Sequence, residues 1–319
     1  MDNVKKFDHP KRSHNYDLEK HVFNILFIMK NAPAIGLLRG YVHSIDTQKT
    51  YSFEYRKSMN HRDFKSTKPQ HINKKDFIYD LDLNFFRTTG SNMKSPTIVL
   101  VHGFWGNALH WQHVIPLLIQ QNFKVKAVEI PLTSLADDVE RTNKMINQID
   151  GPVLLVGHSY GGAVITEAGN NEKVVGLVYI AAFAPDRSES PGLITQQHPP
   201  EAAANLYPDS DGYLWVNAEK YHESFCQDLD PSESIAMAIA QKAPLASTFG
   251  DTIVTPAWKT KPSWYQISNQ DRMIAPENQR KMAERLNAKE IIELEASHAS
   301  LASRPNEIAD FIIKAASSF

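Results

Sequence analysis

The sequence predicts an α/β fold: a mostly parallel, doubly wound sheet with helices on both faces and a small helical cap. Three observations predict it. From Thr97 onward, short β-branched runs alternate with longer amphipathic ones, the pattern of parallel strands joined by crossover helices. A glycine-flanked serine follows one of those runs directly. Residues 187–260 then interrupt the rhythm with seven prolines and short helical patches such as Ser232 to Lys242. An insertion of that size after a strand end reads as a cap over a pocket, the alternative being a surface excursion without a role.

The elements follow in order. Residues 1–92 form an N-terminal extension, a loosely ordered arm or an artefact of start-codon choice. They hold a helical patch near Asp17 to Lys30 and an alternating stretch (Phe77, Tyr79, Leu81, Leu83, Phe85) that suits an extra edge strand. Residues 93–319 make a self-sufficient domain. Its strand candidates are Thr97 to Val101, Lys124 to Ile130, Val153 to Val156, Val174 to Ala181, Ser263 to Ile267 and Glu290 to Leu294. After Asn107, residues Leu109, Val114, Leu117 and Leu118 fall near one helical face. Ser134 with Asp137 three positions later resembles a capping pair. Further helices are expected from Tyr160, Pro276 and Pro305, since proline suits a first helical turn.

Composition limits the function classes. Residues 1–92 carry 16 Lys+Arg against 10 Asp+Glu, and the remainder 18 against 26, so a net charge of −2 hides two unlike parts. The basic charges form no run of five or more, which argues against nucleic acid as a partner. Val22 to Met29 is the longest early apolar run, far short of the roughly 20 residues that span a bilayer. The lone Cys226 supplies neither a disulfide nor a multi-thiolate metal site and reads as a small buried residue. A cytoplasmic location is the expectation, and a homodimer is left open.

The chemistry sits in three places. Gly157-His158-Ser159-Tyr160-Gly161 behind Val153 to Val156 fits a sharp strand-to-helix turn that exposes a nucleophile. A serine hydroxyl needs a base, and the base an acceptor that fixes its tautomer. Asp271 and then His298 each lie just past a strand, where open α/β sheets build their sites. A turn aspartate capping the next helix would look like Asp271. A tetrahedral intermediate also needs convergent backbone donors, and His102-Gly103-Phe104-Trp105 after the first strand supplies the loop. The N–H groups of Phe104 and Tyr160 are the expected oxyanion donors. Gly103 and Trp105 are the expected substrate contacts, with the Phe104 and Trp105 side chains lining the acyl pocket or simply packing. His158 is expected to point away from the site and Trp111 to be core. Trp215, Tyr221 and His222 either face substrate or pack the cap on the sheet.

Residues 95–317 resemble the small α/β-hydrolases that include bacterial esterases, plant methylesterases and plant hydroxynitrile lyases. The likeness rests on Thr97 to Gly103, Pro131 to Asp138, Gly157 to Gly162, Asp271-Arg272 and Ser297-His298. It implies an α/β-hydrolase fold and a cofactor-free serine esterase, without a metal, acting on a small-molecule ester. The lyase branch looks for a lysine after the histidine and a threonine in the oxyanion loop, where this chain has Ala299 and Phe104. Cyanohydrin cleavage is thereby disfavoured. A receptor that keeps the fold without turnover is the other alternative, against which the complete serine, aspartate and histidine set argues.

Overall fold

The computed structural model describes residues 37–44, 49–56 and 95–319. The chain divides into two compact units, Met1–Asn84 and Phe85–Phe319. In the first, β1 (Leu37–Ser44) and β2 (Lys49–Arg56) pair antiparallel from Leu37 opposite Arg56 to Ser44 opposite Lys49. The sequence reading does not anticipate this hairpin, because Gly40 within β1 dilutes its strand signal. The helical patch at Asp17 to Lys30 and the alternating stretch from Phe77 to Phe85 lie outside the described residues.

The second unit is built on six strands: β3 (Thr97–Val101), β4 (Val125–Val128), β5 (Val153–His158), β6 (Val174–Ile180), β9 (Ser263–Ser268) and β10 (Glu290–Leu294). Their spatial order is β10-β9-β6-β5-β3-β4, and every neighbouring pair is parallel. The chain leaves β3 toward β4 on one side and returns as β5 on the other. The loops after β3 and β5 therefore diverge, which opens a crevice at their carboxyl ends.

Period-two alternation sorts the strand side chains onto two faces. Ile98, Leu100, Leu154, Val156 and Ile180 pack with Trp111, with α1 (Ile115–Gln120) through Leu118 and with α9 (Pro305–Ala316) through Ile312. Val99, Val101, Leu155 and Tyr265 pack with α2 (Leu135–Asn147), α3 (Gly161–Ala168) and α7 (Pro276–Arg285) through Ile146, Val164 and Met282. Burial on both faces explains why these strands read as near-continuous apolar runs. The Ser134 hydroxyl accepts from the Asp137 N–H at the start of α2, and Pro276 and Pro305 open their helices.

Two sequence expectations need correction. The second strand is four residues long rather than seven, because β4 is an edge whose ladder with β3 ends at Val101 opposite Val128. Leu109 is 70% exposed rather than core-facing. The chain after Asn107 first forms a 3₁₀ turn at Ala108–Trp111, whose three-residue period displaces Leu109 from the stripe that Val114 and Leu118 occupy.

Residues 187–260 hold α4 (Pro191–Gln197), a short antiparallel pair β7 (Leu206–Pro208) and β8 (Leu214–Val216), α5 (Tyr221–Phe225) and α6 (Pro231–Ile239). The insertion thus adds a small hairpin to its helices. A final short helix, α8 (Ser300–Ser303), leads into α9. Among the described residues no helix is long and apolar enough to cross a membrane.

Leu100 is fully buried in a central strand. Its replacement by alanine is expected to lower the unfolding free energy by about 2–5 kcal/mol, read as an earlier urea midpoint. An unshifted midpoint would contradict this account of the core.

Candidate active site

The crevice is organised around one strained residue. Ser159 ends β5 with φ 56°, in the left-handed region that non-glycine residues rarely adopt. Three backbone bonds hold it there: its N–H donates to Ile180 O (3.2 Å), and its carbonyl accepts from Gly162 N (3.0 Å) and Phe183 N (3.0 Å). The turn also needs neighbours without side chains. A Cβ on Gly161 would lie 2.5 Å from Val101 O, and one on Gly103 would lie 2.5 Å from Ser159 Cβ and 2.9 Å from its Oγ. Gly103 thus lets the loop after β3 press against the serine.

The structure brings Ser159, His298 and Asp271 together although they lie on three separate loops. His298 Nε2 is 2.8 Å from Ser159 Oγ, and His298 Nδ1 is 2.7 Å from Asp271 Oδ2. All three are buried, Ser159 retaining 2% exposure. An ionised Asp271 accepts the Nδ1–H, which leaves Nε2 as an acceptor facing the serine hydroxyl.

Asp271 does two jobs. Its Oδ1 accepts from Met273 N (2.7 Å) and Ile274 N (2.9 Å), capping its own turn, while Oδ2 faces His298. Asp271 thus caps the turn it sits on and not the helix after it, which opens at Pro276 without a side-chain cap. Gln279 on α7 completes the set: its Nε2 donates to Asp271 Oδ2 (2.7 Å), and its Oε1 accepts from Ser268 N (3.0 Å). Nothing in the sequence singles out Gln279, since a glutamine on an amphipathic helix usually faces water.

His298 is braced from behind. The ring of Phe225 meets it edge-on at 4.8 Å, and His158 Nε2 donates to the His298 carbonyl at 2.8 Å. Burial holds the His158 pKa well below that of an ordinary imidazole, so His158 stays neutral and acts as a strut. His102 is another strut: its Nε2 accepts from Ile130 N (3.2 Å), so Nδ1 carries the proton and donates to Gly103 O (2.9 Å).

The Phe104 and Tyr160 amides flank the serine, one on each loop. Among the described residues neither donates to a protein acceptor. Trp105 beside them has φ 56° and is tied to the cap, through its N–H to Lys242 O (3.0 Å), its indole to Leu214 O (2.7 Å) and its carbonyl to the Tyr221 hydroxyl (3.2 Å).

Beside Ser159 lies a pocket of about 430 Å³ of atom-free space, part of it open to solvent. Phe104, Trp105, Phe183, Phe249, Met273 and Ile274 are among its walls, and Thr195, Ala202 and Leu206 close it from the cap. Among the described residues no ionisable side chain lines it. Trp105 faces this pocket, whereas Gly103 abuts the serine and is not part of the wall. Trp215, Tyr221 and His222 do not line it either. The Trp215 indole donates to Asp209 (2.8 Å), and Tyr221 stacks on Phe225 at 5.0 Å. Trp111 is core and Cys226 is buried. Sequence reasoning missed Phe249, which reaches the pocket only once the cap folds over, and Met273 and Ile274, which follow Asp271 on its own turn. Among the described residues no three His, Cys, Asp or Glu side chains converge as metal ligands would.

A parallel sheet with this arrangement at its switch point defines an α/β-hydrolase. Residues 98–311 match the model of the Alpha/beta hydrolase family, and the chain belongs to that family. It is similar to Methylesterase 8 of Arabidopsis thaliana, 26% identical over 71% of this chain and 92% of the relative. An alpha/beta hydrolase of Aspergillus novofumigatus is 28% identical over 70% of this chain and 98% of its own. Among solved structures, a pyrethroid hydrolase from Sphingobium faniae JZ-2 superposes with a TM-score of 0.60 at 22% identity, covering 70% of this chain and 97% of its own. That last likeness concerns the fold.

The serine's reactivity should depend on the empty space at Gly103. Gly103→Ala is expected to slow labelling of Ser159 by a fluorophosphonate at least about tenfold, followed by intact-mass spectrometry. Equal labelling rates in the two proteins would contradict this packing argument.

A second expectation concerns Asp138, buried beneath the site on α2. Burial pushes its pKa up from 3.8 to about 6, against the pull of hydrogen bonds from Leu132 N and the Tyr160 hydroxyl. The folded protein then holds a proton that the unfolded chain has already lost. Its favourable contribution is complete below about pH 3.8 and disappears as pH rises toward 6. Urea midpoints of the wild type should therefore fall relative to those of Asp138→Asn between pH 4 and 6, whereas parallel profiles would refute the shift.

Proposed function

We propose that the protein is a serine hydrolase that cleaves small carboxylic esters through an acyl-enzyme. One observation carries this reading: a serine on a left-handed turn whose Oγ lies 2.8 Å from an imidazole that is itself 2.7 Å from a buried carboxylate. Names of the relatives, a methylesterase and a pyrethroid hydrolase among them, support the esterase class.

Ser159 Oγ attacks the ester carbonyl as His298 Nε2 takes its proton, and Asp271 stabilises the imidazolium through Nδ1–H. The oxyanion is held by the Phe104 and Tyr160 amides, donors already in place and without competing protein acceptors. Collapse expels the alcohol, which receives the proton back from His298. Water then repeats the sequence on the acyl-enzyme and frees the acid.

The pocket walls favour an uncharged, apolar acyl group, because a buried charge would find no counter-ion among them. Ala299 after His298 and Phe104 in the oxyanion loop continue to argue against cyanohydrin cleavage.

Ser159→Ala should lower kcat on p-nitrophenyl acetate by about 10⁴-fold or more while leaving the thermal unfolding curve in place. Asp271→Asn should cost about 10⁴-fold, since the imidazole then presents the wrong tautomer. A Ser159→Ala protein that turns over as fast as the wild type removes the mechanism. Within an acyl series, neutral esters should outpace hemisuccinates, and the reverse order would overturn the pocket argument.

A further inference from the structure

We infer that the Asp138 carboxylate and the Tyr160 hydroxyl form a positioning device that sets the two oxyanion amides relative to each other. The inference rests on the serine hydrolase reading. Phe104 and Tyr160, which contribute those amides, belong to different loops, after β3 and after β5. Their main chains share no hydrogen bond. What joins them is their side chains. The rings stack with centroids 3.9 Å apart and planes 12° apart, and Phe249 of the cap packs on Phe104 at 4.5 Å with its plane tilted by 36°.

A ring stack alone can slide, because stacking is worth only about 0.5–1.5 kcal/mol and has a shallow minimum. Here it is pinned at its far edge. The Tyr160 hydroxyl donates to Asp138 Oδ2 at 2.7 Å, and Asp138 Oδ1 accepts from Leu132 N at 2.7 Å. Leu132 is in the left-handed region at φ 65°, and its carbonyl accepts from Leu245 N of the cap. The carboxylate therefore ties together the loop after β4, helix α2, the nucleophile turn and, through Leu132, the cap. Asp138 and Tyr160 are both fully buried, so water cannot replace either partner.

Burying a carboxylate is costly, and a core could be filled more cheaply with an apolar pair. The bond from Tyr160 is directional, which leucine or methionine packing is not. It fixes the rotation of the Tyr160 side chain, and through the stack it fixes Phe104. An amide misplaced by a fraction of an ångström loses stabilisation of the oxyanion more than of the ground-state ester. Asp138 and Tyr160 then act on the transition state without touching the substrate through their side chains.

The test compares Tyr160→Phe, Asp138→Ala and Asp138→Asn in the full chain, using p-nitrophenyl acetate and a phenyl trifluoromethyl ketone that forms an oxyanion adduct with a reactive serine. Tyr160→Phe keeps the ring and loses only the pin. Its kcat should fall about tenfold with KM within about twofold, and the ketone's inhibition constant should rise by the same factor as kcat falls. Asp138→Ala should lose at least as much. Asp138→Asn can still accept from Leu132 and donate to the Tyr160 oxygen, and should recover most of that loss. A folded Tyr160→Phe protein with wild-type kcat and ketone affinity overturns the inference. So does a loss that appears in KM while ketone affinity stays unchanged. If the wild type itself neither hydrolyses the ester nor binds the ketone, the serine hydrolase reading fails and takes this inference with it, an outcome separable from failure of the variants alone.

Discussion

The molecule depends on one backbone constraint: the left-handed conformation of Ser159, where β5 stops and α3 begins. A non-glycine residue pays for that conformation only if its surroundings determine it completely. The bonds to Ile180, Gly162 and Phe183 do so, and they exist because β5 lies between β3 and β6 in the sheet. The same turn lifts the hydroxyl clear of the strand and directs it into the crevice that divergent loops create. The open spaces at Gly103 and Gly161 follow from it, since any side chain there would collide with the turn or with the loop beside it.

Around this constraint the structure assembles shells of decreasing strictness. His298 meets the serine and Asp271 meets His298 by direct hydrogen bonds, Gln279 and His158 hold Asp271 and the His298 backbone, and His102 braces the loop at Gly103. Several of these supports are polar groups in an apolar setting. Desolvation keeps His158 neutral and raises the Asp138 pKa, so geometry is obtained at some expense of stability. The cap is attached to the same framework through Trp105, whose indole, amide and carbonyl all bond to residues beyond 210. Pocket shape and the loop after β3 are therefore parts of one hydrogen-bonded unit.

Much of the fold and part of the site were legible in the residues alone. Five of the six strands fall where the apolar runs mark them, the inner ones because a strand covered on both faces must be largely apolar. The edge strand β4 is shorter than the run that marks it, since its ladder with β3 covers only Val125 to Val128. Ser159, His298 and Asp271 stood out because each follows a strand end. Leu109 was misplaced because periodicity cannot show whether a turn of 3₁₀ or α helix will form.

By itself the sequence determined the order of strand segments along the chain, the sharp turn at the serine and the placing of a serine, an aspartate and a histidine each just past a strand. Those properties are local: glycine spacing, β-branched runs and prolines act over a few residues. Only tertiary structure decided that Asp138 bonds to Tyr160, and that Phe249 and Met273 share a wall with Trp105. These contacts join segments that are distant in sequence. Each of them exists because β-sheet order and cap docking bring those segments within a few ångströms, a condition that no pattern of neighbouring residues encodes.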